Sequence, residues 1–163
     1  MKKIVNYLFA GLVVLMGFMA CQQDASKQYE TRWAGETMEE IIASFENQFG
    51  GFDRTMIETA YRYNELYWAG QDENWGYADY QLDEMIGGLE DGFIRRPERE
   101  ISAAQFVNQA APQLLEAIQK GDKEAFMQSF VRFASSCNTC HAMEEVPFIQ
   151  VVIPEVRTSL VKL

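Results

Sequence analysis

The sequence predicts an all-α fold, a four-helix bundle with an extra short helix before it and an extended tail after it. Between residues 36 and 141 no stretch alternates apolar and polar residues as a half-buried strand does. Apolar residues instead recur at three- and four-residue spacing, with capping residues and glycines between the periodic stretches. The 163 residues have a single-domain length, and a hydrophobic fraction of 48% is sufficient for a sizeable core.

Helix starts and stops are predicted from side chains that favour N-caps and from glycines. The candidate caps are Thr37, Asp53, Asn74, Ser102 and Asp122, and Thr37 and Ser102 each begin a capping-box pattern. The glycines expected to end or disrupt helices are Gly50, Gly70, Gly92 and Gly121. Short connections at 70–74 and near Gly121 favour antiparallel neighbours, as in a bundle. Pro112 either kinks the fourth helical stretch or begins its second half.

The first 20 residues are typical of a bacterial signal peptide. Two lysines precede an apolar run that is short for a membrane span. Ala20 directly before Cys21 resembles a lipobox, although Phe18 stands where leucine is usual. We therefore expect a lipidated Cys21 and a polar tether over 21–35, with ordinary cleavage or an uncleaved anchor as alternatives. The folded part is then extracytoplasmic, and Gln22 slightly favours the outer membrane by analogy with lipoprotein sorting.

The charge of the chain restricts its partners. Removing residues 1–20 takes away Lys2 and Lys3, so the formal net charge falls from −10 to −12. Nucleic acids and anionic lipids are poor partners for such a surface. A basic redox protein would suit it, and the membrane is reached through the lipid.

The feature that carries chemistry is the run Cys137-Asn138-Thr139-Cys140-His141. It contains two of the three cysteines and the only histidine of the chain. A C-x-x-C-H run indicates a site for c-type haem, in which the thiols bind the porphyrin covalently and the imidazole reaches the iron. Residues at i, i+3 and i+4 share one face of a helix. The apolar residues Phe126, Phe130 and Phe133 continue this face upstream.

Three other interpretations of the motif are open. A thioredoxin-like dithiol would need a βαβ context, which the surrounding sequence lacks. A structural zinc ion would need four ligands, and no second Cys/His cluster completes the set. The third interpretation is an accidental match with inert buried thiols. It requires the only histidine to fall beside the only close cysteine pair by chance.

With the helical bundle over 36–142, the late motif Cys137, Cys140 and His141 resembles that of the cytochromes c′ and related class II c-type cytochromes. The resemblance implies a last helix that bears one covalent haem c, and it allows a homodimer. The tail, residues 143–163, departs from that family, whose members usually end soon after the motif. Its apolar run 148–153 lies between Pro147 and Pro154, and we expect it to be extended, either beside the haem or over apolar core elsewhere.

The sixth iron position is open at the level of sequence. Because His141 is the only histidine, a second histidine ligand from the same chain is excluded. The resemblance places the first two helices on the distal side, where Met56 or Met38 is a candidate ligand, although methionine more often fills bundle cores. Glu145 is a candidate hydrogen-bond acceptor for the imidazole. Arg95, Arg96 and Arg99 are candidates for binding propionates or another anion.

These observations predict a lipid-anchored monohaem cytochrome that transfers single electrons, rather than an enzyme. The first alternative is a haem protein that binds or senses small gases at an open sixth site. The second is a non-haem thiol-redox or structural module. Adjacent carboxylate pairs diverge on a helix and are expected to face solvent.

Overall fold

The computed structural model describes residues 34–158, and this part of the chain is all-α as predicted, with no β-strand among those residues. The chain divides into two compact units, Met1–Gln48 and Phe49–Leu163. The first unit contains most of α1, whose apolar side chains are exposed. The second unit contains the hydrophobic core and every residue of the candidate site described below.

Six α-helices and one π-helical segment follow each other within residues 34–158. They are α1 (Met38–Phe49), α2 (Phe52–Gln71), α3 (Trp75–Arg95), α4 (Arg99–Gln105), the π-helical segment (Phe106–Ala110), α5 (Ala111–Lys120) and α6 (Lys123–Met143). Within the second unit, α2 packs mainly on α3 and α6 mainly on α5. Further contacts join α3 to α5 and α2 to α6.

Three of the predicted helix caps are confirmed. The Thr37 hydroxyl accepts from the Glu40 backbone N–H at 3.2 Å, and the Glu40 carboxylate accepts from the Thr37 N–H at 3.1 Å, which completes a capping box. Asn74 accepts from the Tyr77 N–H at 3.2 Å. Asp122 accepts from the Ala125 N–H at 3.0 Å. Each cap satisfies a backbone donor that the first turn of a helix leaves without an intrahelical partner.

Two predicted caps are wrong. Asp53 lies inside the first turn of α2, and Gly51 occupies the N-cap without a side-chain hydrogen bond. Ser102 lies within α4, which begins at Arg99, and its hydroxyl donates back to the Arg99 carbonyl at 3.0 Å. A serine inside a helix can satisfy its hydroxyl in this way, so the capping-box pattern alone does not fix a helix start.

Two glycines predicted to end or disrupt helices serve close packing instead. Helix α2 continues through Gly70 to Gln71 and ends with Glu73 in the left-handed conformation at φ 57°. Gly92 is buried within α3, where a Cβ atom would lie 2.8 Å from the Phe52 ring. Gly121, in contrast, ends α5 as predicted, with φ at 62°.

Pro112 begins the second half of its helical stretch, without a break in the helix. It lies in the first turn of α5, directly after the π-helical segment. The Ala111 backbone N–H donates to the Phe106 carbonyl, a five-residue step that widens the helix at this point. The wider turn accommodates a proline ring, which has no N–H and would collide with the preceding turn of a regular helix.

The core is organised around one face of α6. Phe126, Phe130 and Phe133 are fully buried, as their spacing predicts. The Phe130 and Phe133 rings pack on Tyr63 of α2, with Phe130 and Tyr63 centroids 4.8 Å apart. The Phe126 ring packs on Trp75 of α3. Cys137 is next on this face and packs against the core. The face that holds the core together therefore continues into the motif.

Gly70→Ala is expected to lower the free energy of unfolding by about 1–3 kcal/mol, because an added Cβ overpacks the core. That atom would lie 2.1 Å from the Phe126 ring. The matched control is Gly87→Ala, since a Cβ at Gly87 meets nothing within 4 Å and alanine favours a helix interior by about 1 kcal/mol. Chemical denaturation should therefore give changes of opposite sign. A stabilised Gly70→Ala protein would contradict the close packing of α2 on α6.

Candidate cofactor site

Cys137, Cys140 and His141 lie in the last turns of α6 and line one cavity of about 650 Å³. Pockets for small molecules and cofactors usually have volumes of about 300–1,000 Å³. Met56 and Tyr63 of α2, with Ala103 of α4, contribute to the mostly apolar wall. The helical spacing thus brings both thiols and the imidazole to a single concave surface, as the motif predicts.

The two cysteines are free thiols in different surroundings. Burial, and secondarily the neighbouring Cys140, raises the pKa of the Cys137 thiol to about 12. The Cys140 Sγ lies 3.6 Å from the Ser102 hydroxyl oxygen, within reach of a weak hydrogen bond. Catalytic dithiols depend on a thiol whose pKa is lowered, so the environment of Cys137 does not favour thiol-redox chemistry.

The imidazole of His141 has one defined hydrogen bond. Its Nδ1 lies 2.7 Å from the backbone carbonyl oxygen of Ile149. A carbonyl only accepts, so Nδ1 must carry the proton, and in the neutral ring Nε2 keeps a free lone pair. Histidine ligands of metals commonly have this second contact, which fixes the ring and its tautomer. The acceptor is the Ile149 carbonyl and not the predicted Glu145, which is exposed.

The chain turns back over the motif immediately after α6. Glu145 adopts the left-handed conformation at φ 61°, and the Val146 N–H donates to the His141 carbonyl at 2.9 Å. This six-to-one hydrogen bond is typical of a Schellman ending, which reverses the chain direction. We call residues 146–158 the strap. It contains neither helix nor strand and forms one wall of the cavity, so this part of the tail lies beside the motif.

Three side chains attach the strap to the helices. Asn138 forms two hydrogen bonds with the backbone of Val151. The Tyr63 hydroxyl donates to the Val152 carbonyl at 3.0 Å, and burial raises the pKa of Tyr63, which keeps the hydroxyl protonated. Arg157 pairs with Asp72 at 2.6 Å and lies 4.8 Å from the centre of the Trp68 ring.

A cluster of polar side chains lies at one side of the cavity. Arg99 forms an ion pair with Glu144, and the Ser102 hydroxyl, whose one hydrogen is also within reach of the Arg99 carbonyl, lies within hydrogen-bonding distance of the same carboxylate. Of the three arginines predicted to bind propionates or another anion, Arg99 lines the cavity. Arg95 instead donates to the Thr55 hydroxyl at 2.9 Å, and Arg96 donates to the Arg95 carbonyl at 2.7 Å.

The two candidate sixth ligands differ in position. Met56 is half-buried on α2 and lines the cavity with the motif residues. Met38 belongs to α1 in the other unit, where 66% of its surface is exposed. Cys21, the predicted signal peptide and most of the predicted tether lie outside the described residues, as does the end of the tail beyond residue 158.

The donors and the cavity fit a covalent haem. Both cysteines and His141 line a space of cofactor size, the Nδ1 contact leaves the Nε2 lone pair available, and apolar side chains make up most of the wall. Haem iron is coordinated mainly by its porphyrin and needs only axial ligands from the protein. Among residues 34–158, no group of three or more His, Cys, Asp or Glu side chains is arranged to hold a metal ion.

Comparisons with known proteins found no matching family model, no matching curated protein and no matching solved structure. None of the helices in the described part of the chain is long and apolar enough to cross a membrane.

Sequence reasoning missed the contribution of the strap backbone. The side chain of Ile149 gives no sign of this role, because every residue type carries a backbone carbonyl. Asn138 carried a partial signal, since an amide inside the motif offers a donor and an acceptor. Only the position of the strap after α6 shows which groups the Asn138 amide and the Ile149 carbonyl contact.

Proposed function

We propose that this chain is a monohaem c-type cytochrome that transfers single electrons outside the cytoplasm. The observation that carries the proposal is the convergence of Cys137, Cys140 and His141 on one apolar cavity, with His141 Nε2 free to bind a metal. Helices α2, α3 and α6, with the continuous stretch 99–120, would form a four-helix bundle of the cytochrome c′ type. A bound haem would supply an iron centre that cycles between ferric and ferrous states.

The chain's own residues have separate roles in this proposal. Cys137 and Cys140 would hold the haem, since each thiol can add across one vinyl group of the porphyrin to give one C–S and one C–H bond. His141 Nε2 would bind the iron, while its Nδ1–H donates to the Ile149 carbonyl. The apolar wall excludes water, which tunes the potential of the iron. Arg99 could exchange its ion pair with Glu144 for one with a haem propionate.

The predicted location supports the same function. Bacteria attach c-type haem outside the cytoplasm, where a signal peptide over 1–20 would deliver the chain and a lipid on Cys21 would hold it at a membrane, with the outer membrane slightly favoured. The acidic mature surface would suit a basic redox partner. A homodimer, as the resemblance allows, is part of this proposal.

The second candidate function is binding of a small gas at an open sixth site. The mostly apolar lining of the cavity favours it, because an apolar distal side leaves iron accessible to neutral ligands. The two functions differ in whether a protein side chain fills the sixth position. A thiol-redox function is the weakest candidate, since burial raises the pKa of Cys137.

The proposal is tested by absorption spectra of the full chain, matured in a host that attaches c-type haem. Spectra are taken of the ferric form, the ferrous form and the ferrous form with carbon monoxide. We expect a haem that stays bound through denaturation and a ferrous spectrum that carbon monoxide does not change. Absence of covalent haem would refute both haem functions. A ready shift with carbon monoxide would favour gas binding over electron transfer.

Met56→Leu is expected to convert the matured protein from unreactive to reactive with carbon monoxide. Leucine keeps the volume of the side chain but removes the thioether sulfur that would occupy the sixth position. Met38→Leu is the matched control, because Met38 is the other candidate ligand and is exposed on α1. Reactivity gained by Met38→Leu alone would assign the ligand to Met38. Unchanged spectra in both variants would exclude both methionines.

A further inference from the structure

Asn138, the first residue between the two cysteines, makes two hydrogen bonds with a single residue of the strap. Its side-chain oxygen accepts from the Val151 N–H at 2.7 Å, and its side-chain nitrogen donates to the Val151 carbonyl at 2.9 Å. An amide side chain offers a neutral acceptor and a donor side by side. The paired contacts also fix which atom of the amide is oxygen, because the Val151 N–H and carbonyl need opposite partners.

This contact lies next to the hydrogen bond of His141. Asn138 and His141 are three residues apart on α6 and therefore neighbours on its surface. Val151 and Ile149 are two residues apart on the strap, which runs back along the helix. The Asn138–Val151 contact therefore lies about one helical turn before the 2.7 Å contact between His141 Nδ1 and the Ile149 carbonyl.

We infer that Asn138 is a positioning residue for His141, which acts by holding the strap so that the Ile149 carbonyl accepts the Nδ1 proton. The inference rests on the proposed function, in which His141 Nε2 is the axial ligand. Within the strap, the Ile149 N–H donates to the Val146 carbonyl at 3.0 Å, which closes a turn after α6. On the other side of Ile149, Val151 is the nearest residue whose backbone a helix side chain holds. The Nδ1 hydrogen bond selects the tautomer with a free Nε2 and increases electron donation to a bound metal.

Thr139 provides a matched control inside the same motif. It is exposed, and its hydroxyl donates to the Ser135 carbonyl of its own helix at 3.1 Å. Thr139→Ala therefore changes a motif residue without touching the strap. Asn138→Ala removes both contacts with Val151. Asn138→Asp keeps the shape and the acceptor for the Val151 N–H but turns a second carboxylate oxygen toward the Val151 carbonyl, so it is a second variant of unchanged size if the alanine protein folds poorly.

The first readout is the tautomer of His141 in the full chain made without haem attachment. The chain has one histidine, so its ring nitrogens give unique signals in a ¹⁵N spectrum of a histidine-labelled sample. At a pH where the ring is neutral, we expect the wild-type and Thr139→Ala proteins to favour the proton on Nδ1. Asn138→Ala should reduce that preference about three- to tenfold, the factor expected from one net hydrogen bond. Asn138→Asp should also reduce it, because its second carboxylate oxygen faces the Val151 carbonyl.

The second readout is the reduction potential of the matured protein. Loss of the Nδ1 hydrogen bond makes the imidazole a weaker donor, which disfavours the ferric state. Asn138→Ala should therefore raise the potential, and Thr139→Ala should leave it unchanged. Equal effects of the two variants, or no change in tautomer and potential for either Asn138 variant, would overturn the inference.

The two proposals fail separately. If no haem is attached but the tautomer shifts in Asn138→Ala, the positioning role stands and the cytochrome function is wrong. If haem is attached while the tautomer and the potential are unchanged in the Asn138 variants, the cytochrome function stands and the positioning role is wrong.

Discussion

Replacing Cys137 and Cys140 together with alanine is expected to abolish covalent haem, so that no haem remains with the chain after denaturation. Both cysteines line the cavity, and in the proposed function each sulfur would make one bond to the porphyrin. Each single variant keeps one such bond and should retain a smaller amount of haem with a shifted ferrous absorption band. The measurement is haem-dependent peroxidase staining of the denatured chain, with absorption spectra of the native protein.

Cys21→Ala is the control for the double cysteine variant. Cys21 is the third cysteine, and its predicted role is lipid attachment before the folded region. We expect the Cys21→Ala protein to keep its haem and to lose its association with the membrane. Haem that resists denaturation in the Cys137→Ala, Cys140→Ala protein would show that the motif is not the attachment site.

Phe130→Ala is expected to lower the free energy of unfolding by about 3–5 kcal/mol, the usual range for removal of a buried aromatic ring. Phe130 is fully buried, and its ring contacts four others, with centroid distances of 4.8 Å to Tyr63 and 5.1 Å to Tyr67. The remaining two rings, those of Phe126 and Phe133, are on its own helix. The cavity left by alanine cannot collapse easily, because stiff rings surround it on both helices.

The measurement is chemical denaturation, and Val131→Ala is the neighbouring control. Val131 follows Phe130 in α6 but points outward, with 55% of its surface exposed. A surface change of this kind usually alters stability by less than about 0.5 kcal/mol. A Phe130→Ala protein that lost less than 1 kcal/mol would contradict the placement of Phe130 at the centre of the α2–α6 packing.

The helices were largely predictable because their signals are local. Asn74 and Asp122 cap helices as predicted, since an N-cap bonds to backbone groups only two or three residues away. Glycine was ambiguous for the opposite reason. Gly121 ends a helix through its own left-handed backbone. Gly70 and Gly92 instead leave room for side chains that are distant in sequence, and the residues next to each glycine do not show that such a contact exists.

The sequence by itself determined the all-α class and the placement of two thiols and one imidazole on one helical face, because helix geometry alone relates residues three and four apart. Only the tertiary structure decided what that face meets. The reversal at Glu145 brings the strap back over the motif, and there Ile149 and Val151 contribute through backbone groups that every residue type carries. The sequence does not reveal which residues supply these groups, because a carbonyl acts through its position and not through its side chain.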